Sequence, residues 1–275
     1  NGSGKTTLTK LMIGVLQPTA GSIYLEQRPL AQYSLAEIGR RIGYVFQNPS
    51  LQLFCPTVAE EISFGLTNQG CDPTVVEERV GFYLNYFELT AYRNAFPLYL
   101  SHGEKQQLAI AAVLANEPEF LILDEPTTAL DLITQAKILE LLNRLKKQFG
   151  FSLLFITHDL GIVAQTCDNV AVMYAGELVE VGTAPDIYTS KDHHPYTSGL
   201  FGSMPNLRSK ARRLTPITGL MPDPTKLPPG CTFAPRCPKK MDVCEAEHPC
   251  AGRNGTHLIS CHLFAGREIW RKEEA

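Results

Sequence analysis

Two short continuous apolar runs, Phe120–Leu123 and Ser152–Thr157, have the length of strands buried on both faces. Between them Leu132, Ala136, Leu139, Leu142, Leu145 and Phe149 recur every three or four residues. That spacing predicts a helix capped by Asp131 and stopped by Gly150. Strand, helix and strand in this order predict a parallel βαβ unit, so the fold class is α/β with a mostly parallel sheet. Upstream, Thr6–Gly14 reads as a helix ended by Pro18 and Gly21, and Ser22–Leu25 and Ile42–Phe46 read as strands. Thr57–Gly65 and Val75–Leu89 read as helices in a more polar stretch. After about Gly182 prolines and turn residues are frequent and no long periodic segment remains. A boundary is expected there, with 1–182 as one domain and 183–275 as a small irregular extension.

Composition narrows the class. The 275 residues are 44% hydrophobic and 19% charged, as in a globular chain with a sizeable core. A net charge of -3 offers no bulk positive charge for nucleic acid. No apolar run approaches the roughly 18 residues that a spanning helix needs.

Candidate chemistry begins at the first residue. Asn1-Gly2-Ser3-Gly4-Lys5-Thr6 carries the middle and end of the phosphate-binding pattern G-x-x-x-x-G-K-[ST]. The chain starts inside the motif without an initiator Met, so its first segment is expected to be missing. Backbone N–H groups of Gly2, Ser3, Gly4 and Lys5 can wrap phosphate oxygens where no side chain blocks them, and the next helix points its N-terminus at the same anion. Lys5 then neutralises phosphate oxygens and Thr6 ligates magnesium. The apolar run at Phe120 ends in Asp124 and Glu125. Carboxylates at the end of a buried strand need a cation or hydrogen bonds. Asp124 suits the magnesium side, and Glu125 suits the general base for an attacking water.

With these motifs in place the sequence resembles the ATP-binding-cassette (ABC) ATPases, a P-loop NTPase family, across residues 1 to about 182. Gln47, in Tyr44-Val45-Phe46-Gln47-Asn48-Pro49, is similar to the family's Q-loop glutamine, and Leu100-Ser101-His102-Gly103-Glu104 to its signature motif. Ala129-Leu130-Asp131 resembles the D-loop and His158 the switch histidine. The resemblance implies a cassette with a helical subdomain at about 48–112 and catalytic roles for Glu125, His158 and Gln47. Nucleotide binding falls to Asn1, Gly2, Ser3, Gly4, Lys5, Thr6 and Thr7, and to Ser101, Gly103, Glu104 and Asp131. Thr6, Gln47 and Asp124 would hold Mg2+ beside ATP. Ser101 and Glu104 also form S-x-x-E, a capping box opening a helix to about Asn116. The signature departs from the usual L-S-G-G-Q. Glu104 near phosphate is electrostatically unhelpful, and a protonated His102 is expected to offset it.

Of eight cysteines, Cys231, Cys237, Cys244, Cys250 and Cys261 crowd the tail. An ATP-dependent chain is expected in the cytosol, where structural disulfides are rare, so metal or cluster ligation is favoured. No C-x2-C pair occurs to mark a zinc ribbon. The tail resembles the C-terminal extension of oligopeptide, dipeptide and some nickel importer ATPases. His194-Pro195-Tyr196-Thr197, Ser203-Met204-Pro205, Gly230-Cys231-Thr232-Phe233, Pro235-Arg236-Cys237-Pro238, Cys244 and Cys261-His262 carry that likeness. It implies a [4Fe–4S] cluster on Cys231, Cys237, Cys244 and Cys261, with Cys250 as the alternative fourth ligand.

The resemblance further implies an importer subunit for peptides or nickel, peripheral on the cytoplasmic face of the membrane. Its partners would be transmembrane permease subunits, a second ABC ATPase subunit (the same chain or a paralogue) and, indirectly, a solute-binding protein, with no nucleic acid. The stretch from Phe46 to Gly65 is more similar to energy-coupling-factor ATPases for vitamins and metal ions. Two other classes remain to be weighed. A soluble ABC-type ATPase of DNA repair or translation would carry a long coiled coil or a second cassette, and neither occurs here. An iron–sulfur redox protein would need a second redox centre.

Overall fold

The computed structural model describes residues 2–204, 216–266 and 268–269; Asn1 and Pro205 lie outside them. The chain divides into two compact units, Thr6–Leu160 and Asn1–Lys5 with Gly161–Ala275.

In the first unit α1 (Lys5–Met12) leads to a tight hairpin of β1 (Tyr24–Leu25) and β2 (Arg28–Pro29). Its two turn residues, Glu26 and Gln27, both lie at positive φ (49° and 64°), as the twist of a two-residue hairpin requires. A capping box of Ser34 and Glu37 starts α2 (Leu35–Arg41), and β3 (Ile42–Val45) follows directly. Then come α3 (Val58–Asn68), capped by Thr57, α4 (Pro73–Tyr86), capped by Asp72, and α5 (His102–Leu114). The remaining elements are β4 (Phe120–Asp124), α6 (Leu132–Phe149) and β5 (Ser152–Ile156). Asp131 caps α6 and Gly150 ends it at φ 71°. The strands form a parallel sheet in the order β3-β4-β5, with Tyr44 opposite Ile122 and Ile122 opposite Leu154. Leu121, Ile122 and Leu123 are fully buried in the central strand. Leu121 and Leu123 share one core with Leu84, Phe87, Leu108, Ile110 and Leu142 of the helices. The sheet thus delivers the end of β4, and its two carboxylates, to one edge of a rigid core.

The second unit holds α7 (Leu160–Thr166) and the antiparallel pair β6 (Asn169–Tyr174) and β7 (Glu177–Thr183). It continues with α8 (Ala184–Thr189), α9 (Pro195–Gly202) and α10 (Val243–Ala246). It ends with β8 (Ala251–Asn254), β9 (His257–Ser260) and β10 (Glu268–Ile269). All five strands join one antiparallel sheet in the order β10-β8-β9-β7-β6. The tail therefore adds strands that its sequence does not announce, because four-residue strands are too short for alternation to register. Phe233, fully buried, meets the Tyr174 ring edge-on at 5.1 Å and anchors the cysteine-rich segment to this sheet.

Candidate active site

The first residues form the loop that the motif predicts. Gly2 and Gly4 lie at φ 86° and 92°, a region that side chains disfavour, and α1 begins at the next residue, Lys5. Lys5 Nζ donates to Ser3 Oγ at 3.0 Å, and the Ser3 carbonyl accepts the Gly176 N–H at 2.9 Å. Thr6 and Thr7 are exposed on the first turn of α1.

At the end of β4 the two carboxylates take separate partners. Asp124, buried, accepts hydrogen bonds on Oδ2 from Thr6 Oγ1 at 2.9 Å and from the Tyr44 hydroxyl at 3.0 Å. Burial pushes the Tyr44 phenol up to about 12, so it stays a donor. Glu125, also buried, stands at φ 49°, and its N–H donates to the Ile156 carbonyl at 2.9 Å. Its backbone thus extends the pairing with β5 while the chain turns. The turn lets three groups converge on one oxygen. Gln47 Nε2 donates to Glu125 Oε2 at 2.9 Å, Thr128 Oγ1 donates to it at 3.2 Å, and His158 Nδ1 lies 3.5 Å away. Tyr44 and Thr128 escaped the sequence reading. Thr128, three residues past Glu125, was visible as a short spacing; Tyr44 carried no signal beyond its neighbour Gln47.

The signature segment is built around its cap. Ser101 Oγ accepts the Glu104 N–H, while Glu104 Oε2 accepts from Ser101 N at 2.8 Å and from Ser101 Oγ at 2.7 Å. These bonds, with a further one from Tyr92, hold the Glu104 carboxyl below its ordinary range. The cap thus keeps the Glu104 carboxylate on the first turn of α5. Asp131 accepts from Ile133 N and Thr134 N, both at 3.0 Å, and from Thr134 Oγ1 at 2.7 Å, which lowers its pKa. Among the described residues no hydrogen bond joins Ser101, Gly103, Glu104 or Asp131 to the Asp124–Glu125 group.

In the tail Cys231, Cys244 and Cys261 are buried, Cys237 is half-buried and Cys250 is exposed. Burial pushes the Cys261 thiol up to about 11, and Cys231, Cys237 and Cys244 stand near enough to push in the same direction. Cys231 N donates to the Cys244 carbonyl at 2.9 Å.

The family model described as ABC transporter matches residues 1–128. That described as oligopeptide/dipeptide transporter, C-terminal region, matches residues 179–244. The dipeptide transport ATP-binding protein DppD of Bacillus subtilis (strain 168) is 38% identical over 282 aligned residues, covering 96% of this chain and 83% of that protein. This chain belongs to the ATP-binding subunits of ABC transporters. The oligopeptide transport ATP-binding protein AppD of the same organism is 36% identical, covering 96% of this chain and 85% of that protein. Among solved structures, cbiO1 from Clostridium perfringens, part of the ABC transporter complex cbiONQ, is similar with a TM-score of 0.63 and 36% identity. That likeness covers 70% of this chain and 77% of that one. The subunit is accordingly an ATPase coupled to transport, and ATP with Mg2+ is its general requirement. No helix of its described residues is long and apolar enough to cross a membrane.

Proposed function

We propose that this subunit hydrolyses ATP to drive peptide import, working at the cytoplasmic face of the membrane against transmembrane permeases. One observation carries the catalytic part: Gln47, Thr128 and His158 converge on one oxygen of Glu125, a buried carboxylate at the end of a core strand. Such a carboxylate, aimed by donors, acts as the general base that takes a proton from the attacking water. Gln47 orients that water, and His158 lies over the transferred phosphoryl group. The N–H groups of Gly2, Ser3, Gly4 and Lys5 bind phosphate, and Asn1 and Thr7 also serve nucleotide binding. The Thr6 hydroxyl and the Asp124 carboxylate, 2.9 Å apart, are the hard oxygen donors that Mg2+ prefers, and Gln47 completes the set. Bound Mg2+ supplies charge neutralisation on the phosphates.

Ser101, Gly103, Glu104 and Asp131 then serve the nucleotide of a second cassette, either a copy of this chain or a paralogue. The cassette spans 1–182, with its helical subdomain at about 48–112, and 183–275 forms the extension. Peptide as the solute is supported by relatives named for dipeptide and oligopeptide transport that cover the tail as well as the cassette. A solute-binding protein would deliver that peptide to the permeases. The likeness to cbiO1 keeps vitamin or metal-ion uptake as a second reading, over 70% of the chain.

A [4Fe–4S] cluster, which takes cysteines supplied by irregular loops, would be held by Cys231, Cys237, Cys244 and Cys261, with Cys250 as the alternative fourth ligand. A bound cluster supplies a cross-link between the segments that carry Cys231, Cys237, Cys244 and Cys261. Iron and sulfide analysis of anaerobically purified protein tests it, with absence of both as the adverse result.

The test of the main reading uses Glu125→Gln in the assembled transporter. Hydrolysis is expected to fall by about 10²- to 10⁴-fold while nucleotide binding persists. Labelled dipeptide uptake in vesicles should fall with it. Hydrolysis at the unsubstituted rate would remove Glu125 as the base, and wild-type vesicles that take up nickel or a vitamin but no peptide would remove the solute.

A further inference from the structure

Glu180 lies on β7 with its carboxylate fully buried. Its Oε2 accepts the backbone N–H of His194 at 2.8 Å. Its Oε1 faces two imidazoles, His193 Nδ1 at 2.8 Å and His257 Nε2 at 2.8 Å. The three donor atoms lie within 4.8 Å of one another. They come from three parts of the second unit: β7, the loop before α9, and β9.

The protonation logic is specific. His193 Nε2 lies 3.0 Å from the Ser190 carbonyl oxygen. A carbonyl oxygen only accepts, so Nε2 carries a hydrogen. In a neutral imidazole the other nitrogen then presents a lone pair. That lone pair points at a carboxylate oxygen, another acceptor. A proton, on the ring or on the carboxyl, or a metal ion has to stand between them. The His193 and His257 side chains are only 11% and 5% exposed, so the three donors face one another in a closed site.

The surroundings match a metal site. Two imidazole nitrogens and one carboxylate oxygen form a donor set typical of zinc-class divalent ions. Ligating histidines usually donate their other N–H to a carbonyl or carboxylate, and ligating carboxylates are themselves hydrogen-bonded. Ser190 and the His194 N–H occupy those two positions. Asp186, a carboxylate close enough to His257 to feel its charge, is already committed to Thr183 and Thr256. It lies outside the donor set.

We propose that Glu180, His193 and His257 bind one zinc-class divalent ion, separate from both the phosphate loop and the cysteine group. Bond lengths of about 2.0–2.1 Å in a tetrahedron place ligand atoms about 3.3 Å apart, so each 2.8 Å contact opens by about half an ångström. Water takes the fourth position. The ion pins β9 and the segment before α9 to β7, so its role is to fasten the tail to the strand pair that precedes it.

The experiment adds zinc to the metal-stripped full-length chain and counts zinc per chain by mass spectrometry after dialysis at fixed free zinc. Wild type is expected to exceed His193→Ala by one equivalent, with equal iron content in both. Zinc held on cysteines is common to the two proteins and cancels. Equal zinc in the two overturns the proposal. Because the variant could misfold, ¹⁵N spectra of the wild-type histidine rings give a second reading. Zinc should leave His193 with a proton on Nε2 alone and shift Nδ1. A persistent Nδ1–H that zinc does not alter identifies the bridging cation as a proton, and that result also overturns the proposal.

Discussion

Replacing Gly230 by alanine would place a methyl carbon 2.4 Å from the Cys244 carbonyl oxygen and 2.8 Å from the backbone carbonyl carbon of Glu245. An ordinary contact begins near 3.4 Å, so the first clash is short by about 1 Å. Both obstacles are backbone and cannot rotate away. The crowded oxygen is also the one that accepts the Cys231 N–H at 2.9 Å. Relief of the clash therefore separates Cys231 from Cys244. Overpacking of this kind costs about 1–3 kcal/mol. If that cost lowers the free energy of local opening, exposure of the two thiols rises by about 5- to 140-fold, since 1.4 kcal/mol is tenfold. The assay is alkylation of the reduced, iron-free full-length chain, followed peptide by peptide in a mass spectrometer. Cys250 is already exposed and serves as an internal reference. Labelling of Cys231 and Cys244 should accelerate relative to Cys250 in Gly230→Ala. Unchanged relative rates would show that the close approach at Gly230 does not hold the thiols together.

Tyr44→Phe removes one of two side-chain donors to buried Asp124 and should destabilise the protein by about 1–3 kcal/mol, read from the urea midpoint; an unmoved midpoint refutes the contact. Glu104 has its pKa lowered by the Ser101 cap, so its contribution is complete above the ordinary value of 4.5 and is lost as pH falls through the lower, folded value. The stability gap between wild type and Glu104→Gln should therefore shrink on acidification from pH 6 to pH 3, and a constant gap contradicts the cap. Asp131→Ala strips the N-cap of α6, so amide exchange at Ile133 and Thr134 should quicken and the melting temperature fall. Exchange as slow as in wild type would show that another group covers those amides.

The sequence by itself determined what is settled within a turn or two of chain. The Ser101–Glu104 box, the Asp131 cap and the left-handed Gly150 stop all follow from groups that meet within four residues. Their backbone donors and acceptors need partners wherever the helix packs. The buried run of β4 was equally legible, because four consecutive apolar residues followed by two carboxylates permit few other placements. In the tail the two-residue turn between β8 and β9 is Gly255-Thr256, where Gly255 takes φ 61°. Only the tertiary structure decided which distant groups meet. Tyr44 reaches Asp124 across 80 residues, and His257 reaches Glu180 across 77. Such contacts depend on how strands register and what each sheet buries. Spacing along the chain does not encode them, because the entropy of closing a long loop varies only slowly with its length and favours no particular partner.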